Sequence, residues 1–181
     1  MPLSIQIRPA TATDIPRLIA LDHSNSSESV WQLELRRDTA EQTTAAFREV
    51  RLPRPTTVSF PYKPRALADE WTKKSMMQIA LADNAHVGYI CVQERAPASV
   101  AWVTELVVDV PHRRQGVASA LLASAQNWAL DRQHCRLILE MQSKNLSMIR
   151  LAQKFGYEFC GYNDHYYLTQ DVALFFGKVL K

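Results

Sequence analysis

Arg113, Arg114, Gly116 and Ala118 fall within one run, Val107-Val108-Asp109-Val110-Pro111-His112-Arg113-Arg114-Gln115-Gly116-Val117-Ala118. An apolar strand pattern, Ala101 to Val108, precedes the turn, and a helical pattern, Val117 to Asp131, follows it. A helix start presents unpaired backbone N–H groups and the positive end of the helix dipole. Gly116 lacks a Cβ, so a ligand can approach the backbone closely, and Ala118 keeps the next turn position small. The two arginines add charge at the mouth. This chemistry suits a diphosphate. The turn is neither a Walker loop, which needs Lys-Ser/Thr after glycine, nor a dinucleotide turn with three glycines.

Two carboxylates interrupt apolar strand patterns. Glu105 lies in Trp102-Val103-Thr104-Glu105-Leu106-Val107-Val108, and Glu140 in Leu137-Ile138-Leu139-Glu140-Met141-Gln142. A charge inside such a run is costly without a partner or water. Each is therefore either a general base or half of an ion pair with Arg or Lys near the strand end. Alternation places Glu105 on the face of Val103 and Val107.

The elements that must position these groups are legible in order. Leu3 to Arg8 reads as a strand, and Thr13 as the cap of a helix over Asp14 to Asp22, with Ile15, Leu18, Ile19 and Leu21 as its apolar stripe. Residues 23–30 read as a polar loop, and Val30 to Arg36 and Ala45 to Leu52 as strands. Pro53, Pro55, Pro61 and Pro64 read as irregular chain. Ala66 to Lys74 is a short helix. Met76 to Ala82, His86 to Glu94 and Val100 to Val108 are three strands, with turns at Asp83-Asn84 and Pro97-Ala98-Ser99 that imply antiparallel hairpins. Gly116 to Asp131 is a helix with Val117, Ala120, Leu121, Ser124 and Trp128 inward. Arg136 to Met141 is a strand, and Leu146 to Phe155 a helix stopped by Gly156. Tyr157 to Tyr162 and Tyr166 to Phe176 are the last strands.

The Arg-x-x-Gly-x-Ala spacing at Arg113, Gly116 and Ala118 resembles the pyrophosphate turn of the GNAT superfamily of acetyl-CoA-dependent N-acetyltransferases. A second stretch strengthens the resemblance: Leu139-Glu140-Met141, then Asn145, then Phe155-Gly156-Tyr157. The element order agrees over nearly the whole chain, most sharply over residues 100–176. Leu-Glu-Met-Gln with Asn145, Gly161 and Tyr167, and the 30–65 insertion with Trp31 and Glu49, resemble streptothricin acetyltransferases. Glu140 also sits where ribosomal-protein N-terminal acetyltransferases carry a base.

The resemblance implies an α/β (α+β) GNAT fold. Its central sheet is mixed and mostly antiparallel, splayed between its fourth and fifth core strands, with helices on both faces. It implies one domain over 1–181, with 31–65 as an inserted acceptor-side segment, and acetyl-CoA as co-substrate. Cofactor contacts would come from Leu106, Val107, Val108, Arg113, Arg114, Gln115, Gly116, Val117, Ala118, Ser119, Asn145 and Ala152. Backbone N–H groups near Val107 and Val108, where the family carries a bulge, would stabilise the oxyanion. Glu105 and Glu140 would take the amine's proton, since an unperturbed lysine has a pKa near ~10.4. The family's usual general-acid Tyr is replaced by Ala152. Nearby substitutes are Tyr157, Tyr162, Tyr166, Tyr167, His165 and Ser147.

Composition bounds the partners. The chain has 181 residues, 47% hydrophobic and 22% charged, enough for one core. No apolar run reaches membrane-spanning length, and Met1 to Ala10 lacks a secretory pattern, so a cytoplasmic protein without membrane partners is expected. Cys91, Cys135 and Cys160 are an odd number without metal-ligand spacing, so thiols and no metal are expected. Net charge is +3, and residues 31–65, with Arg36, Arg37, Arg48, Arg51, Arg54, Lys63 and Arg65 against four acids, carry that whole excess. This reads as a solvated face rather than a nucleic-acid surface. Trp31 and Trp71 line an acceptor pocket or belong to the core. His23 and His86 fall at loop edges without a signal. The acceptor is a small-molecule amine such as an aminated antibiotic, or else a peptide N-terminus. A non-catalytic acetyl-CoA module is the alternative from another class, and the chain is a monomer or homodimer.

Overall fold

Strand residues alternate between two apolar surfaces, and that alternation builds the core. A computed structural model describes residues 4–95 and 99–180. Leu3 of the first expected strand and Pro97-Ala98 of the expected turn lie outside the described residues. In Met76–Ala82 (β4) and Ala85–Arg95 (β5), Ala80, Ala82, Ile90 and Val92 belong to one cluster. Ile79, Leu81, Tyr89 and Cys91 belong to the other. The first cluster packs Val117, Leu121, Leu122, Ala125 and Ala129 of the helix Val117–Asp131 (α3), and Met148, Ile149 and Ala152 of Leu146–Lys154 (α4). The second packs Ile15 and Leu18 of Ile15–Ile19 (α1) and Leu67 of Leu67–Glu70 (α2). Helices therefore cover both faces, as the resemblance implied.

The remaining strands are Ile5–Pro9 (β1), Val100–Val108 (β6), Arg136–Gln142 (β7), Glu158–Asn163 (β8) and Ala173–Val179 (β9). The seven-stranded order is β1-β4-β5-β6-β7-β9-β8, antiparallel except for β6–β7. That parallel pair holds only from Val100–Val103 against Arg136–Leu139. Beyond it the strands separate. Glu105 to Val108 pairs with β5, and Glu140 to Gln142 with β9, so a cleft opens between them. This is the expected splay between the fourth and fifth core strands.

Several sequence expectations change. Asn25–Arg37 (β2) and Thr43–Val58 (β3) form a separate two-stranded ribbon, so the strand already begins inside the expected loop 23–30. Pro53 and Pro55 lie within β3 rather than in irregular chain. The register jumps there from Ser29↔Arg51 to Ser27↔Thr56, and such an irregularity accommodates residues that cannot donate to a ladder. Thr13 caps nothing. Asp14 stands at the N-cap of α1, buried by Arg8 at 2.7 and 2.8 Å and His86 at 2.7 Å. The Arg8 hydrogen bonds hold its carboxyl far below the usual carboxylate range, against the opposing effect of burial. In α3 the inward stripe is rotated by one residue. Ala120, Ser124 and Trp128 lie at its half-buried margin. The last strand starts at Ala173, leaving Tyr166 and Tyr167 in a loop.

The bulge in β6 is at Thr104, which lies between the pairs Cys91↔Glu105 and Val92↔Val103. It does not fall at Val107 or Val108. One extra residue inverts the alternation. Val103 therefore faces the first cluster, while Val107 faces the second, the side on which Glu105 meets Tyr89. The expectation that Glu105 shares a face with Val103 fails for this reason.

Gly88 holds the other side of β6. A Cβ there would stand 2.6 Å from the Val107 carbonyl oxygen, which is fixed backbone. Gly88→Ala is expected to cost about 1–3 kcal/mol through overpacking. A urea-unfolding midpoint equal to that of the wild type would show that β6 can yield there.

Candidate functional site

The turn after β6 is built around Arg113. Its Nε donates to the Val108 carbonyl at 2.9 Å, and its Nη2 to the carbonyls of Ser24 at 2.6 Å and Asp22 at 3.2 Å. The guanidinium thus ties the turn to the chain leaving α1, and is committed to backbone rather than free at the mouth. The Asp109 carboxylate accepts from the Asp22 N–H at 3.1 Å and fixes the same junction. Arg114 is exposed with φ 63°, and Gly116, the N-cap of α3, has φ 91°. No side chain caps this helix. Among the described residues, a Cβ at Gly116 would meet only Ile5 Cδ1, at 4.0 Å. The first-turn N–H groups therefore open onto a groove without steric cover.

That groove has a volume of ≈ 640 Å³ and runs from the start of α3 into the β6/β7 cleft. Leu106, Val107, Val108, Arg113, Arg114, Gly116, Val117, Ala118, Ser119 and Asn145 all line it, as do Glu105 and Glu140. Gln115 does not line it. Its side-chain amide turns back to the Pro111 carbonyl at 2.9 Å. Ala152 does not line it either. It is 0% exposed in the first cluster, and Met148 and Leu151 present the α4 wall. Placing the family's tyrosine there would overpack the core. Ala152→Tyr is expected to cost about 1–3 kcal/mol, with no gain in turnover. A variant of wild-type melting temperature would contradict this packing. Asn145 Oδ1 accepts from the Met148 N–H at 3.1 Å and from Asn25 Nδ2 at 2.8 Å, so it caps α4 and joins that helix to the ribbon base.

Both carboxylates are buried and both are paired. Glu140, whose side chain is 0% exposed, accepts from the Tyr62 hydroxyl at 2.6 Å, the Tyr166 hydroxyl at 3.1 Å and Arg95 at 3.1 Å. Edge contacts link Phe60, Tyr62, Tyr167, Tyr166, Phe175 and Trp102 into a continuous aromatic wall around it. Burial first, and then the Glu140 charge, push the Tyr62 and Tyr167 phenols far above their usual range, so both remain protonated. Tyr167 also lines the groove.

Glu105, 8% exposed, accepts from Lys74 Nζ at 2.7 Å and from the Tyr89 hydroxyl at 3.2 Å. Burial pushes the Lys74 ammonium down, but the Glu105 charge and hydrogen bond outweigh it, and the net shift is upward. A second hydrogen bond, 3.2 Å, joins Tyr89 to Nε2 of His23, a groove-lining residue that sequence reasoning passed over. Tyr62, Lys74, Tyr89 and Arg95 carried no local signal either. The ion-pair alternative for a strand Glu required partners of this kind without naming them. A smaller cavity, ≈ 200 Å³, lies against Tyr62, Lys74, Arg95, Thr104 and Glu105 and shares Thr104 and Glu105 with the groove.

Trp31 packs on Phe47, Phe159 and Phe176, and Trp71 against the second cluster. Neither lines the groove. Arg36, Arg37, Arg48, Arg51 and Arg54 project from the ribbon into solvent, so the basic excess does not reach the groove wall. Among the described residues no helix is long and apolar enough to cross a membrane.

The chain is 35% identical over 71 residues to a streptothricin acetyltransferase of Escherichia coli. That stretch is 39% of this chain and 41% of that enzyme, so less than half of the relative is matched. The crystal structure of a nourseothricin acetyltransferase superposes with a TM-score of 0.81 at 24% identity, covering 98% of this chain and 99% of that one. A candidate streptothricin acetyltransferase from Bacillus anthracis, solved in complex with acetyl coenzyme A, gives 0.78 at 21% identity, covering 99% and 100%. The ribosomal-protein-S18-alanine N-acetyltransferase of Escherichia coli gives 0.70 at 16%, covering 98% and 95%. At these identities the superpositions establish the fold. The acetyltransferase (GNAT) family profile matches residues 38–157, which take in the second ribbon strand, β4 to β7, α3 and α4, and so the chain belongs to the GNAT family.

Proposed function

We propose that this chain transfers the acetyl group of acetyl-CoA to a primary amine of a small polycationic molecule of the streptothricin type. The observation that carries the reading is the β6/β7 opening. It joins an uncapped helix start to a cleft with one carboxylate on each edge. In this reading the first-turn N–H groups of α3 hold the pyrophosphate, and the thioester lies between the separated strands. The aromatic wall built around the Glu140–Arg95 pair, with Tyr167 on the groove, meets the acceptor's cationic groups by cation–π contact. Glu105 takes a proton from the reacting ammonium, directly or through one water. The free amine then attacks the thioester carbon. The tetrahedral oxyanion is met by backbone N–H groups on the unpaired edge of β6. As the C–S bond breaks, the second proton of the attacking nitrogen passes to the leaving thiolate, directly or through water, and the Tyr167 phenol at the groove wall donates a hydrogen bond to that sulfur, the task for which Ala152 has no chemistry.

The acceptor class is supported by the streptothricin and nourseothricin enzymes among the similar proteins and by the aromatic character of the wall. Thiol release with acetyl-CoA, measured in parallel with nourseothricin and with an alanine-terminated peptide, tests it. Release with nourseothricin alone is expected. Release with the peptide alone would replace the acceptor by a polypeptide N-terminus.

A further inference from the structure

His23, Tyr89 and Glu105 form a hydrogen-bonded chain with one hydrogen too few. His23 Nδ1 lies 2.7 Å from the Leu21 carbonyl oxygen, which can only accept, so Nδ1 carries the hydrogen. In the neutral imidazole Nε2 is then bare. Tyr89 has a single O–H and faces two acceptors, His23 Nε2 at 3.2 Å and Glu105 Oε2 at 3.2 Å. The other Glu105 oxygen is taken by Lys74 at 2.7 Å. A single added proton completes the network: imidazolium Nε2–H donates to Tyr89 O, and Tyr89 O–H donates to Glu105.

We propose that His23, reached through Tyr89, is the exit for the proton that acetyl transfer liberates. The proposal rests on the acetyl-transfer reading above. The stoichiometry requires such an exit. An ammonium and a thioester become an amide, a thiol and one proton, the N–C bond forming as the C–S bond breaks. A proton arriving on Glu105 passes to the Tyr89 oxygen as the Tyr89 hydrogen moves to His23 Nε2. Glu105 returns to the carboxylate, and the half-buried His23 at the groove wall releases the proton to solvent.

The surroundings fit a transient acceptor. Burial lowers the His23 pKa, opposed by the Leu21 carbonyl and by the charges of Glu105, Asp22 and Asp109. The imidazole therefore rests neutral at pH 7, within reach of protonation. Phe60 packs on its ring at 4.9 Å, and Arg113 sits on the adjacent Asp22 and Ser24 carbonyls. Tyr89 is fully buried, and that burial, with the Glu105 charge, keeps it a phenol that relays rather than stores a proton.

Two measurements test the relay. In thiol release with nourseothricin, His23→Gln preserves an acceptor for Tyr89 but cannot take a proton. It is expected to lower kcat roughly 10²-fold, to leave KM for acetyl-CoA unchanged, and to abolish the acidic limb of the kcat profile. His23→Ala is expected to recover rate with added imidazole, and Tyr89→Phe to show the same loss without recovery. Unchanged kcat and pH profile in His23→Gln would overturn the proposal. The second measurement needs no acceptor. Nitrogen-15 spectra of the imidazole are expected to show His23 as the Nδ1–H tautomer, with its titration shifted to lower pH by Glu105→Gln. An Nε2–H tautomer would overturn the relay even in an active enzyme. A wild-type chain inactive with nourseothricin but showing the Nδ1–H tautomer and that shift would instead overturn the acceptor assignment.

Discussion

Glu105→Gln is expected to lower kcat about 10²–10⁴-fold at neutral pH, the usual contribution of a positioned general base. Glutamine keeps the volume and removes the proton acceptor. The deficit shrinks as pH rises, because an acceptor already neutral needs no base. The substitution also leaves Lys74, only 9% exposed, without its counter-charge at 2.7 Å. Removing one member of a buried pair destabilises by about 3–5 kcal/mol, whereas replacing both is often close to neutral. The variant thus loses stability and turnover for different reasons. Glu105→Gln combined with Lys74→Met separates them. The double variant regains its unfolding midpoint and remains slow. If the double variant recovers turnover along with stability, Glu105 is a structural partner of Lys74 and not the base. Steady-state thiol release across pH, with thermal unfolding of each variant, reads both effects.

Gly116→Asp is expected to weaken acetyl-CoA binding on the order of 10²-fold. One charge-assisted hydrogen bond contributes about 1.5–3 kcal/mol, and a carboxylate at this N-cap adds repulsion against the pyrophosphate. The side chain has room, since among the described residues the nearest atom to a Cβ there is Ile5 Cδ1 at 4.0 Å. The φ of 91° is one that residues with a side chain rarely adopt, so the substitution strains the turn by about 1–3 kcal/mol, less than the about 5–15 kcal/mol that holds a domain folded. The fold should therefore persist while affinity falls. Gly116→Ala carries the steric change without the charge, and its loss should be smaller. Calorimetry on folded protein decides. Equal affinity in wild type and Gly116→Asp would place the pyrophosphate elsewhere.

What could be read from the sequence was local, and what could not was long-range. The β6–α3 turn was legible because Gly116 and the apolar period of α3 lie within a few residues of each other. Glu105 and Glu140 stood out because a charge in an apolar strand demands an explanation. Their partners did not stand out, since Lys74 lies 31 positions from Glu105 and Tyr62 lies 78 from Glu140. Chain closure, not spacing, brings them together. His23 and Tyr89 are 66 positions apart and meet for the same reason. The bulge at Thr104 left no glycine or proline to announce it, yet it decides which way Glu105 faces. Pro53 and Pro55 misled in the opposite sense. A two-stranded ribbon with a register jump absorbs prolines that a central strand could not. Ala152 was expected at the cofactor from motif spacing alone, and packing places it in the core, beyond the reach of any sequence period.

The central claim is that the β6/β7 cleft acetylates a small polycationic amine from acetyl-CoA. Mass spectrometry of nourseothricin incubated with the purified chain and acetyl-CoA, with thiol release followed in the same reaction, tests it most directly. One acetyl group gained per molecule of thiol released, with both signals lost together in the Glu105→Gln/Lys74→Met variant, is the predicted result. Nourseothricin of unchanged mass in the presence of saturating acetyl-CoA and folded wild-type protein would contradict it.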